Sequence, residues 1–218
     1  MFPSFAVMPF TYTICALVIL MSIIGFYHKP FYQFFIYHPY EVFRGNRIHT
    51  VFTSAFVHKN WWHLTFNIYI FYGVNRDIEY IILEDDYNKL WITIISLAIV
   101  VLGIVLPNII DGQKEKKNVA FVSGGFSGAT FCSLGFSGFY LPLDRSSKTY
   151  TLLPFLHYAY EFALTVFLVI FLLSLIFSKS KTNHKLHLYA LVIGFLIAII
   201  IRPTIILEII GNLKTRFN

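Results

Sequence analysis

Charge is what this sequence has least of. Asp, Glu, Lys and Arg make up only 13% of its 218 residues, about half the share of an average soluble domain. They also cluster, leaving uncharged stretches of roughly 20 residues, long enough to cross a bilayer as helices. That pattern excludes an ordinary soluble globular domain. Cysteine is nearly absent as well. Cys15 and Cys132 both fall in apolar stretches and read as small apolar residues, neither a disulfide nor a metal pair. His58, His63, His184 and His187 have no carboxylates or thiolates beside them at ligand spacing, so no metal site is expected. The N-terminus lacks the basic stretch and small-residue cleavage site of a secretory signal, so its first apolar segment is expected to remain as a helix. A net charge of +6 suits anionic headgroups, and no clustered basic-aromatic surface points to nucleic acid.

What is present is apolar: 57% of the residues are hydrophobic. Lipid leaves every spanning backbone group to be satisfied internally, so the expected fold class is all-α, a polytopic membrane bundle. The expectation is one domain over 1–218 with six helices near 6–27, 61–82, 90–110, 119–142, 152–177 and 186–207. The second is interrupted near its end by Arg76, Asp77 and Glu79, the fifth contains only Glu161, and the sixth only Arg202. Residues 28–60 form the longest connection. Its segment Phe31-Tyr32-Gln33-Phe34-Phe35-Ile36-Tyr37 is too short to span and suits the headgroup boundary. If the faces alternate from the N-terminus, the 17 Lys and Arg divide seven to the N-terminal face and ten to the other. The positive-inside rule then favours an external N-terminus.

Gly125-Phe126-Ser127-Gly128 opens the fourth of these stretches. Glycines let neighbouring backbones approach closely, and the hydroxyl sits where little else is polar. Gly-Phe-Ser-Gly recurs at 135–138, but Ser137 falls toward the far end of its helix. Ser127 lies on the face shared by His187, which opens the sixth helix on one stripe with Ala190, Gly194 and Ala198. That stripe is expected to press against the serine helix at Gly128, bringing a nucleophile and a base together. No carboxylate is placed to orient the histidine, because Asp111, Asp144 and Glu161 lie at connections or on other helices; the pair reads as a dyad. His63 and Asn67, four residues apart on the second helix, share a face and are candidate donors to an oxyanion. His58 is placed to tie the long loop to that helix. Each residue also has a plainer reading. The serine can bond its own backbone, His187 can be interfacial, and His63 with Asn67 can be an interhelical polar pair.

Together these residues carry a resemblance. Phe43-Arg44 and His58-Lys59-Asn60-Trp61-Trp62-His63-Leu64-Thr65-Phe66-Asn67 resemble the first-loop and second-helix signature of rhomboid intramembrane serine proteases. Gly125-Phe126-Ser127-Gly128 with Gly135 resembles their fourth-helix motif, and His187-Leu188-Tyr189-Ala190 with Gly194 their sixth-helix motif. The resemblance implies Ser127 as nucleophile, His187 as general base, and His63 and Asn67 in the oxyanion hole with the N–H of Ser127. It makes Arg44 a structural residue of the loop and Glu79 a structural acid. It implies a multi-pass integral membrane protein (of the cell membrane if the organism is a bacterium) that cleaves transmembrane protein substrates without a cofactor, its active site opening outward and its N-terminus in the cytoplasm. That orientation opposes the Lys/Arg division. Phe43 stands where tryptophan is usual, Val74-Asn75-Arg76-Asp77 replaces a glycine-rich approach to Glu79, and Ala190 replaces a glycine. Two alternatives stand beside the protease. One is an inactive relative that binds or retains membrane helices, though both dyad members are present. The other is a small transporter, for which no internal inverted repeat is found. Nothing in the sequence speaks to oligomeric state.

Overall fold

A computed structural model describes residues 3–82, 87–144, 156–176 and 183–217. Among them the regular structure is helical: α1 (Pro9–Tyr27), α2 (Lys29–Phe35), α3 (Pro39–Val42), α4 (Thr50–Thr53), α5 (Trp61–Arg76), α6 (Lys89–Glu115), α7 (Ser127–Tyr140), α8 (Ala159–Ile176), α9 (His184–Ile201) and α10 (Ile205–Phe217). Four of these, α1, α6, α8 and α9, are long and apolar enough to cross a membrane. Bulky side chains such as Trp62, Tyr69 and Ile200 face outward, as suits a protein surrounded by hydrocarbon.

The helix starts are written in asparagine. Asn60 accepts from the N–H of His63, Asn88 from Trp91 and Asn183 from Leu186, each satisfying a donor that the first turn would leave orphaned. α1 has Pro9 in its first turn and no local side-chain cap. Its cap comes from far along the chain: the Glu79 carboxylate accepts from the N–H groups of Phe10 and Thr11 and from the Thr11 hydroxyl, at 2.6–3.0 Å. Glu79 sits in the π turn over Asp77–Ile82 that continues α5. The charges that interrupt the second apolar stretch are thus used internally, and buried Asp77 pairs with Arg76 at 2.6 Å.

α7 is the central helix, buried from Gly128 to Tyr140 except at half-buried Phe131 and packed against α5, α6, α8 and α9. Glycines set its close approaches. A Cβ on Gly128 would come within 2.5 Å of the carbonyl oxygen of Gly103 on α6. Pro107, inside α6, has no N–H to offer that carbonyl, so backbone can meet backbone there. Gly135 of α7 and Gly194 of α9 make the corresponding contact between those two helices: a Cβ on Gly194 would overlap the Cys132 carbonyl, and one on Gly135 the Leu191 carbonyl. The expectation that Gly128 meets the α9 stripe is therefore corrected. Gly128 faces α6, and Gly135 does the work against α9, where Ala190 is fully buried.

Several expected helix bounds also move. The first helix starts at Pro9, and the third, expected over 90–110, runs on to Glu115, so Asp111 lies within α6 and not at a connection. Residues 119–126 are not helical; Ser123 instead pairs with Tyr37 in an antiparallel bridge, and Gly125 has φ of 125°, a conformation that ends any helix register. The helix expected over 186–207 breaks at Arg202, whose backbone leaves the helical region (φ -135°, ψ 84°) because Pro203 disfavours that region for the residue before it. Of the helix expected over 152–177, Ala159–Ile176 is observed, and 152–155 and 177 lie outside the described residues. Arg145, Lys148, Lys179 and Lys181, used in the orientation reading, also lie outside them. Arg202 is bonded, its guanidinium donating to the Tyr140 carbonyl at 2.7 Å and pairing with Glu208 at 2.6 Å.

Candidate active site

Ser127 is the first residue of α7. Gly125 places it there. With φ of 125° the chain turns sharply, and any Cβ would come 2.5 Å from Cε1 of His63, so the position demands glycine twice over. The residue between them is tied down: the N–H of Phe126 donates to Nε2 of His58 at 3.1 Å. Because Nε2 accepts, the proton of this imidazole is on Nδ1, which donates to the Ser22 hydroxyl at 2.8 Å. Ser22 in turn donates to the Phe56 carbonyl at 3.0 Å. His58 is buried, and burial, followed by the nearby His63, pushes its pKa down from the ordinary 6.5 to about 3. It is a neutral strut joining α1, the long loop and the start of α7. Its link to α5 is a ring contact with His63, at 5.0 Å between centroids.

His187 lies in the first turn of α9. Its Nε2 is 3.0 Å from Oγ of Ser127, hydrogen-bond distance for a hydroxyl and an imidazole. Phe131, one turn beyond Ser127, stacks on the imidazole with centroids 4.4 Å apart and planes 23° apart, fixing the ring plane so that Nε2 points at the serine. Phe131 was not among the expected site residues. The signal for it was its spacing, since a residue four after Ser127 must share its face. Among the described residues no carboxylate bonds this imidazole.

His63 and Asn67 do share a face of α5, and both line the cavity of about 1460 Å³ that also contains Ser127 and His187. Asn67 is buried, and one amide hydrogen is spent on the carbonyl of His63 at 2.8 Å, leaving the second. The N-terminus of α7 has no side-chain cap, so the N–H groups of its first turn remain orphan donors beside Ser127. Ser137 is buried deeper along α7, away from the cavity lining. Arg44 lies in the loop, stacked at 3.6 Å over the Tyr40 ring and donating to the Tyr40 carbonyl at 2.8 Å.

The Rhomboid domain family model matches residues 45–204, a span that contains Ser127, His187, His63 and Asn67. No curated protein matches the chain. The match covers most of the chain and agrees with its all-helical, membrane-spanning fold. This multi-pass integral membrane protein belongs to the rhomboid family.

Proposed function

We propose that the chain is an intramembrane serine endopeptidase that hydrolyses peptide bonds in or near transmembrane segments of membrane proteins. The observation that carries this reading is the 3.0 Å contact between Ser127 Oγ and His187 Nε2, made inside the cavity that His63 and Asn67 also line. With Nε2 unprotonated, His187 takes the hydroxyl proton as Oγ attacks the scissile carbonyl. The tetrahedral oxyanion is met by the N–H of Ser127, the free amide hydrogen of Asn67 and the ring of His63. His187 then gives its proton to the leaving amine, and an ester to Ser127 remains. Water enters through the cavity and bonds the acyl carbon while losing a proton to the same nitrogen; the ester bond to Oγ then breaks as His187 returns that proton to Oγ, releasing the acid. Gly125, Gly128, Ala190, Gly194, His58 and Arg44 hold the parts in place.

In this reading six segments cross the bilayer, with α5 and α7 joining the four long helices. α7, at 14 residues, extends roughly 21 Å, short of a hydrocarbon core of about 30 Å. Protein surrounds it, so it need not match the lipid thickness. Retention of both dyad residues in contact favours the protease over a non-catalytic relative that holds membrane helices. The test is incubation of the purified chain with a fluorophosphonate probe: labelling should map to Ser127 and disappear in His187→Ala. An unlabelled native chain would favour the non-catalytic relative.

A further inference from the structure

Asp111 is a buried acid that the mechanism above does not use. It lies in the last turns of α6, 5% exposed, and its Oδ2 accepts a hydrogen bond from Nδ2 of Asn183. Asn183 is the residue that starts α9. Its Oδ1 accepts from the N–H of Leu186 at 3.1 Å, and its backbone carbonyl accepts from the N–H of His187 at 3.4 Å. One amide thus faces two ways, oxygen into the first turn that carries the base and nitrogen onto a carboxylate of another helix. A neighbouring tie runs parallel to it, since Lys114 on α6 bonds the hydroxyl of Tyr189, two residues past His187.

What α6 brings to that tie is a fixed position. Near this end its Asn108 donates to the Val51 carbonyl at 2.8 Å and accepts at its own carbonyl from the Tyr37 hydroxyl at 2.9 Å. The same loop holds the serine. The Tyr37 backbone pairs with Ser123, the N–H of Gly125 donates to the Ser54 carbonyl at 3.0 Å, and His58 holds Phe126. The serine is therefore set directly by the loop. The histidine is set by the same loop through α6, Asp111 and Asn183.

We propose that Asp111 is the carboxylate that positions the base, acting on His187 through the Asn183 cap of α9 and not through the imidazole ring. The proposal rests on the protease reading. Asp111 touches no reacting atom, so it is a positioning residue that does the orienting work usually given to the third member of a triad. Helix ends fray when a cap is lost, and His187 is only four residues from this one. A displacement of about 1 Å at a catalytic group can cost on the order of 100-fold in rate.

The test is a reciprocal swap in the full chain reconstituted in liposomes, read as kcat and KM for a model transmembrane substrate and as the rate of fluorophosphonate labelling. Asn183→Asp alone keeps an acceptor for Leu186 but sets two carboxylates against each other. It should lower kcat and labelling about 10- to 100-fold with a smaller change in KM, because Asp111 and Asn183 are only two of the many residues lining the cavity and Phe66, Asn67 and Phe131 stay in place. Asp111→Ala should do the same. The double variant Asp111→Asn with Asn183→Asp restores a donor facing an acceptor and should recover most of both rates. Thermal unfolding identifies any single variant that fails to fold, in which case the swap still decides. Native kcat in Asp111→Ala, or a folded swap no better than Asn183→Asp alone, would overturn the role of Asp111 while leaving the protease reading intact. A native chain that neither cleaves nor labels would overturn the protease reading, and the role of Asp111 with it.

Discussion

The contact between α7 and α9 makes a demand that a single methyl group can test. A Cβ built on Gly194 would sit 2.7 Å from the backbone nitrogen of Phe136 and 2.9 Å from the carbonyl carbon of Cys132, and would overlap the Cys132 oxygen. These are backbone atoms in the middle of a buried helix, so they cannot swing aside as a side chain can. Non-bonded carbon contacts settle near 3.5–4.0 Å, so relief of the clash in Gly194→Ala requires the two helices to separate by roughly 1 Å. The Ser127–His187 pair, at 3.0 Å, has no slack of that size. Near 4 Å the hydrogen bond is gone, and a misplacement of about 1 Å can cost on the order of 100-fold. Gly194→Ala should therefore lower kcat about 10- to 100-fold although it lies almost two turns from His187. Gly211→Ala, on α10 where a Cβ meets nothing within 4 Å, should leave activity unchanged and add helix stability of about 0.5–1 kcal/mol. The assay is substrate cleavage by reconstituted protein, with thermal unfolding alongside. A folded Gly194→Ala variant with native kcat would show that close packing of α7 on α9 does not assemble the site.

Further outcomes follow from the same geometry. His63→Ala and Asn67→Ala should each lower turnover about 10²–10³-fold while Ser127 still labels detectably with the probe; unchanged turnover in both would return the pair to helix packing. Ala190→Gly should be tolerated, since it only adds space at a buried contact, and inactivity there would contradict the packing account. His58 supplies a pH test. Its folded pKa of about 3 lies below the ordinary 6.5, so between these values the unfolded chain binds the extra proton. Its contribution to stability is complete above about pH 6.5 and is lost as pH falls toward 3. The thermal midpoint should fall on acidification through that window, and His58→Asn should flatten the fall; an identical slope in both proteins would remove His58 as the strut.

Much of the site was legible because its chemistry is rare in a membrane chain. A serine between glycines, a histidine opening another apolar stretch, and His63 with Asn67 at helical spacing are hard to explain as packing alone, and the structure brings Ser127 to His187 and all four into one cavity. Hydropathy located the long helices but not their ends. It counts Val119 to Val122 as membrane-like, whereas Tyr37 and Gly125 hold that stretch out of the helix. Partners distant in sequence were the part that could not be read. The link from His58 to Ser22, that from Glu79 to Phe10 and Thr11, and the facing of Gly128 to Gly103 depend on which helices are neighbours, and a small-residue stripe does not name its partner. Phe131 was within reach, since its spacing of four from Ser127 puts it on the same face of α7, the face that meets His187.

The central claim is that Ser127 performs the attack. Its most direct measurement is cleavage of a model transmembrane substrate by the native chain, Ser127→Ala and Ser137→Ala, each reconstituted in liposomes and shown to be folded. The native chain and Ser137→Ala should cleave, and Ser127→Ala, which loses one oxygen, should not. Cleavage that survives in Ser127→Ala, or that is lost only in Ser137→Ala, would contradict the account.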